Sequence, residues 1–269
     1  MVDARRVLAA DKRGSSWPVL VETDDGPWFT KLRGAAQGTG ALVAEVIVAA
    51  LAESLGLRVP ERSLVRFGTN VESVDQNDEL ADLLRASAGI NLGFAYLEDA
   101  ATFAPATDAV RVRQEDAAAI LWLDGLVMNP DRTAHNPNLL WWRDELWLID
   151  HGAALGFQYA LPAIDATTAR RPYGLREPHI FQTIVPDLAP WDASFAPRIT
   201  LAVIEHAVAA VPNDFLEPLV APDSAETLDT RRAAYVDYFE RRLAQPRPFL
   251  VPVVAPPNEQ RRRGRPAWR

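Results

Sequence analysis

The chain contains no cysteine, so neither a disulfide nor a thiolate metal centre can contribute to its fold or chemistry, and nothing argues for an oxidising compartment. It also lacks a long apolar run. No segment approaches the eighteen or so apolar residues of a membrane span. The charged opening, Met1 to Gly14, has no apolar core of the signal-peptide kind. These absences lead us to expect a soluble, cytoplasmic protein. A net charge of −8 argues against a generally nucleic-acid-binding surface, although the last nine residues are strongly basic. Lysine is almost missing too: of 28 basic residues only Lys12 and Lys31 are lysine, so a retained lysine invites a specific explanation.

What is present is enough apolar sequence, 48% of 269 residues, for one large domain or two lobes. The opening reads as a meander: a strand at Val7 to Ala10, a polar loop at 12–16, a strand at Pro18 to Thr23, an Asp-Gly turn, and a strand at Trp28 to Leu32. In the first loop Gly14, Ser15 and Ser16 could let backbone N–H groups and hydroxyls approach phosphate oxygens, or could form a plain exposed turn. Lys31 ends the third strand. It suits either a phosphate contact or a snorkelling strand-end position. Gly34 to Gly40 reads as a flexible loop before a helix at about Ala41 to Leu55, with Leu42, Val46, Ala49, Ala50 and Leu51 on its buried face and Gly56 ending it. Glu45 on this helix could reach Lys31, or could simply favour the helix dipole.

Further strands are expected at Ser63 to Phe67 and at Phe94 to Glu98, with an amphipathic helix within Glu72 to Ala88 between them. Tyr96 and Leu97 would then lie at a crossover where a nucleobase could be met. Helices follow at Gln114 to Met128, Pro197 to Val211 and Thr227 to Leu243; Asp124 could brace the loop after the first of these or could equally be a solvated helix acid. His206 reads as a partly buried helix residue. The organisation is α+β: a β-rich N-lobe at 1–98, a larger helical C-lobe at 99–250, and a flexible Pro/Arg-rich tail at 251–269.

The densest chemistry runs from Asn129 to Gly152. Asp131 and Asn136 lie five apart in a loop bracketed by Pro130 and Pro137, and Asp150 follows an apolar hairpin of Leu139 to Trp142 and Leu146 to Ile149. Phosphoryl transfer needs a group that orients the attacking hydroxyl, and carboxylate and amide oxygens that hold a magnesium ion. Protein kinases show the same order: a catalytic Asp, an Asn five residues on, and an Asp-x-Gly after a hairpin. Gly152 is read as letting the chain turn away after Asp150-His151. His135 and His151 adjoin the loop without an assignable proton-transfer role.

With Lys31, the run Ala44-Glu45 through Leu55 to Glu61, the block Asn129 to Asn136, and Leu148-Ile149-Asp150-His151-Gly152, the chain resembles the bacterial HipA-like kinases, within the group that shares features with phosphatidylinositol kinases. The resemblance implies a two-lobed protein-kinase-like fold, ATP, Mg2+ and transfer to a hydroxyl; we expect a protein Ser/Thr acceptor, with a lipid head group or a small molecule left open. It implies Asp131 as the catalytic aspartate, Asn136 and Asp150 as metal ligands, and Lys31, paired with Glu45, as the phosphate-contacting lysine. Thr133 stands where HipA toxins have a histidine, and Asp131-Arg132 is closer to the lipid-kinase form. Two alternatives stay open. One is a pseudokinase-type module that binds nucleotide or a partner without turnover. The other is a DNA-associated regulator acting through Arg261 to Pro266, whose Arg-Gly-Arg-Pro resembles an AT-hook core.

Overall fold

The fold is that of a computed structural model, which describes residues 1–12, 17–163 and 166–255. The proposed phosphate loop, Gly14, Ser15 and Ser16, and the basic run Arg261 to Pro266 lie outside the described residues.

The first part is a seven-stranded mixed sheet. Its strands are β1 (Val2–Asp3), β2 (Arg6–Ala10), β3 (Val19–Thr23), β4 (Gly26–Lys31), β5 (Arg62–Phe67), β6 (Glu72–Ser73) and β7 (Gly89–Ala95), in spatial order β1-β5-β7-β4-β3-β2-β6. Strand β7 lies between β4 and β5 and pairs antiparallel with both, with Leu92 opposite Lys31 on one side and Leu64 on the other. Alternation assigns the two faces. Leu92 and Phe94 join the main core, whereas Val65 and Trp28 join a smaller cluster on the opposite face, covered by Leu80 and Leu84 of α2 (Asp78–Ala86). Gly93 faces this second cluster, where an added Cβ would sit 2.5 Å from Val65 Cγ2.

Helix α1 (Gly38–Ser54) packs against the main-core side. Sequence periodicity suggests a single buried face, but the helix is buried nearly all round because it is caught between the sheet and the later helices. It ends in a Schellman motif: Gly56 adopts φ +80°, its N–H bonds to Glu53 O at 2.9 Å, and Leu57 N–H reaches Ala52 O at 3.0 Å.

After β7 the chain passes through β8 (Ala101–Thr102) and α3 (Pro105–Asp108) to α4 (Gln114–Val127), a helix buried along nearly its whole length. Met128 caps α4 in the left-handed conformation, and the hairpin β9 (Leu139–Trp142) and β10 (Glu145–Leu148) follows. Its turn is only Arg143 and Asp144, both at positive φ (51° and 57°), so Glu145 belongs to the strand rather than to the turn. The remaining elements are α5 (Ala166–Ala169), β11 (Gly174–Leu175), α6 (Ala189–Phe195), α7 (Leu201–Ala209), α8 (Asn213–Leu216), α9 (Leu228–Leu243) and β12 (Val253–Val254). His206 is exposed on α7 rather than partly buried.

Two expectations change. Residues 253–255, expected in the flexible tail, are held by pairing with β11, and Phe249, just before the expected tail, is fully buried against Trp122. A large aromatic ring supplies the anchoring that the surrounding prolines conceal from a periodicity argument. The strand expected at Phe94 to Glu98 ends at Ala95, so Tyr96 and Leu97 lie beyond its pairing. Trp142 Nε1 donates to Glu98 O at 2.9 Å and ties this connection to β9.

Candidate active site

Lys31 is the last residue of β4, and its side chain is directed at α1. Its ammonium lies 2.5 Å from Glu45 Oε1 and 2.6 Å from Asp150 Oδ1. Burial works against charge on Lys31, but the two carboxylates outweigh it and raise the pKa above that of an ordinary lysine. Burial likewise pushes Asp150 up, and Lys31 overcomes this to hold its carboxyl below the usual value. Glu45 is fully buried; for it desolvation wins over Lys31 and the pKa is raised.

Asp150 adopts φ +55°, an uncommon conformation for a non-glycine residue. That turn sends the chain directly against α1, where the His151 N–H donates to Glu45 Oε1 at 2.9 Å. Gly152 is therefore needed for close approach, not for a left-handed backbone: an added Cβ would lie 3.2 Å from Ala41 Cβ and 3.4 Å from Glu45 Oε1.

The loop after α4 is tightly bonded. Asp131 N–H bonds to Asn129 Oδ1 at 3.1 Å, and Asn136 Nδ2 donates to Asp131 Oδ2 at 2.8 Å. Thr133 cross-braces the loop, with its N–H to Asn136 O at 3.1 Å and its Oγ1 accepting from Asn136 N–H at 3.2 Å. Asp131 is half-buried; desolvation raises its pKa, the Asn136 amide opposes this, and the Asp150 charge adds to it. The structure thus brings Lys31, Glu45 and Asp150 into direct contact, and Asp131 with Asn136. Asp131 and Asp150 are close enough to interact electrostatically. Tyr96 is exposed and Leu97 half-buried, and no hydrogen bond or ion pair joins either to this cluster among the described residues.

Beneath the loop lies a buried polar hub. Arg132 Nε donates to Asp124 Oδ2 at 2.6 Å, with both side chains at 0% exposure. Asn129 Nδ2 donates to Asp124 Oδ1 at 2.9 Å, and Arg132 Nη1 donates to Asn138 O at 2.6 Å. His179 completes the hub from 55 residues away: its Nε2–H faces Asp124 Oδ2 at 3.0 Å while Phe181 N–H donates to its Nδ1 at 3.1 Å. Both contacts fix one neutral tautomer, consistent with a pKa lowered chiefly by burial. Burial pushes Asp124 up, but Arg132 and His179 hold it well below the carboxylate range. His151 is neutral too, its pKa lowered to about 3 by burial and by Arg132. His135, by contrast, is exposed and faces Glu177.

The sequence leaves Asp124 open between a loop brace and a solvated acid, which its full burial decides for the brace; it gives no sign of His179, and Arg132 reads only as part of a motif. No local pattern marks His179, whose partners are distant in sequence. Arg132 had a signal: a charge next to a loop that must stay rigid.

The donor set suits a magnesium ion. Both expected donors are hard oxygens, from the Asp150 carboxylate and the Asn136 amide, and 40% of the Asp150 side chain is open to solvent. Among the described residues no three His, Cys, Asp or Glu side chains cluster as a metal cage. A magnesium site shared with nucleotide phosphates needs only one or two carboxylates.

The curled sheet with α1 against it, the loop after α4 and the hairpin leading to Asp150 together make a two-lobed α+β kinase fold. The crystal structure of the Helicobacter pylori proinflammatory kinase CtkA matches it with a TM-score of 0.50 at 14% identity, covering 91% of this chain and 99% of that one. This likeness shows the fold alone. The chain belongs to the HipA-like kinases: the model of that family matches residues 4–167. No curated protein sequence matches.

Proposed function

We propose that this kinase uses ATP and magnesium and transfers the γ-phosphate to a protein serine or threonine hydroxyl. The observation that carries the reading is the Lys31 ammonium held between Glu45 and Asp150, at 2.5 and 2.6 Å, beside the Asp131–Asn136 loop. Lys31 would contact the nucleotide phosphates, with Glu45 fixing its position. Asp150 and Asn136 would hold the metal ion, whose chemistry is to neutralise the triphosphate charge. Asp131 would orient the acceptor hydroxyl and take up its proton, a role that its raised pKa favours. Ala134, His135 and Asn136 are all exposed, so the acceptor side of the loop is open to a macromolecule. Residues 1–98 and 99–250 would form the lobes on either side of the nucleotide, with Tyr96 and Leu97 between them and Gly14, Ser15 and Ser16 over the phosphates.

Mass spectrometry after incubation with Mg·ATP, with and without cell extract, tests this. Phosphate on serine or threonine is the expected result. Phosphate found only on a lipid or small molecule would replace the acceptor. No transfer to any component would remove the reading.

A further inference from the structure

We propose that Gln158 is a positioning residue that holds the start of α1, and through it Glu45, in place for Lys31. The proposal rests on the reading of Lys31 and Glu45 as nucleotide-binding groups.

Helix α1 does not cap itself. Its N-cap residue, Gln37, makes no side-chain capping bond, and the first turn carries no acid to favour the dipole. The grip comes from the segment that follows Asp150-His151-Gly152. Gln158 is 1% exposed, and its Nε2 donates to Gly40 O in the first turn of α1 at 3.1 Å. Its Oε1 accepts from Tyr235 Oη at 2.9 Å, and its backbone carbonyl accepts from Arg231 Nη2 at 2.8 Å, both from α9. One amide therefore joins the helix that carries Glu45 to a fully buried tyrosine of the distant helical part.

The next residue adds a second hold. The hydroxyl end of the Tyr159 ring packs against Gly40, where an added Cβ would come within 2.7 Å of it, and its hydroxyl reaches Gln37 O at 3.4 Å. Glu45 is five residues further on, about 7.5 Å along the axis. A rotation of the first turn would therefore be transmitted to the carboxylate that Lys31 needs. Gly40 and Gln37 belong to a stretch that sequence alone marks as a flexible loop. The ring packed on Gly40 gives that glycine a physical reason.

The test is Mg·ATP affinity by calorimetry for wild type, Lys31→Ala, Gln158→Leu, Gln158→Glu and Tyr159→Ala. Wild-type binding that is lost in Lys31→Ala establishes the nucleotide site. Gln158→Leu should then raise Kd about tenfold. Gln158→Glu keeps the shape and the acceptor for Tyr235 but offers Gly40 O no donor while ionised, so its Kd should be raised at pH 8. It should return toward wild type as acid restores a proton to donate, a pH profile that simple loosening would not give. Tyr159→Ala removes a ring that is 57% exposed, and it should raise Kd severalfold even if Gln158→Leu fails to fold. Wild-type Kd in Gln158→Glu across the pH range, with Lys31→Ala impaired, overturns the proposal alone. No binding by the wild type overturns the nucleotide site and this proposal with it.

Discussion

Asp150 Oδ1 lies 2.6 Å from Lys31 Nζ, a contact between residues 119 apart in sequence that joins the end of β4 to the turn after β10. It explains why one of only two lysines is kept here. A compact ammonium can serve Glu45 and Asp150 from one point, whereas a planar guanidinium presents its donors in a fixed fork.

Lys31→Arg should therefore fail to restore function despite preserving charge. Phosphates displaced by an ångström cost on the order of 10²-fold in turnover. Phosphate transfer near the wild-type rate in this variant, measured against any acceptor identified by mass spectrometry, would remove Lys31 from the site.

Asp124 should be the most expensive carboxylate to delete. Asp124→Ala leaves Arg132, at 0% side-chain exposure, without its charge partner, and removes acceptors for Asn129 and His179. Breaking a buried pair in this way costs about 3–5 kcal/mol. Urea unfolding reads the loss directly, and a change under about 1 kcal/mol would show that the hub is not a structural centre.

Asp131 gives a pH prediction of the opposite sign to the usual carboxylate. Its folded pKa is raised, chiefly by burial, so the folded state binds a proton more tightly than the unfolded chain. Stability therefore falls as pH rises from the unfolded value toward the folded one, and at neutral pH the charge destabilises the fold. Asp131→Asn should raise Tm at pH 7, with the gain vanishing below about pH 4, where both proteins are neutral at this position. Wild-type turnover should fall on the acid side at a pH above the ordinary Asp pKa. A lowered Tm for Asp131→Asn at pH 7 would contradict the assignment.

Most of the architecture is legible where local rules dominate. The meander before Lys31, the helix closed by Gly56, and the apolar hairpin before Asp150 carry period-2, period-3.6 and turn signals that the structure follows to within a few residues. The Lys31–Glu45 contact was an open choice from sequence, because an acid expected near the helix start suits the dipole as well as a partner; α1 instead begins at Gly38, which puts Glu45 beyond its first turn. His179, Gln158 and Phe249 were not legible. Each acts through partners 50 or more residues away, on Asp124, Gly40 and Trp122 respectively, and nothing near them in sequence records it. Gly152 was marked for the wrong reason: the left-handed turn belongs to Asp150, and the glycine only clears the side of α1.

The most direct measurement is the thermal shift produced by ATP, with and without magnesium, in wild type, Asp131→Asn and Asp150→Asn. At about 100 times its Kd a ligand stabilises by about 2.7 kcal/mol, which for a chain of this size is a rise on the order of 5–10 °C. Asp150 is assigned to the metal and Asp131 to the acceptor. Wild type and Asp131→Asn should therefore show the full magnesium-dependent rise, and Asp150→Asn should show little. A full rise in Asp150→Asn, its loss in Asp131→Asn, or an equal rise in all three without magnesium would contradict this account of the site.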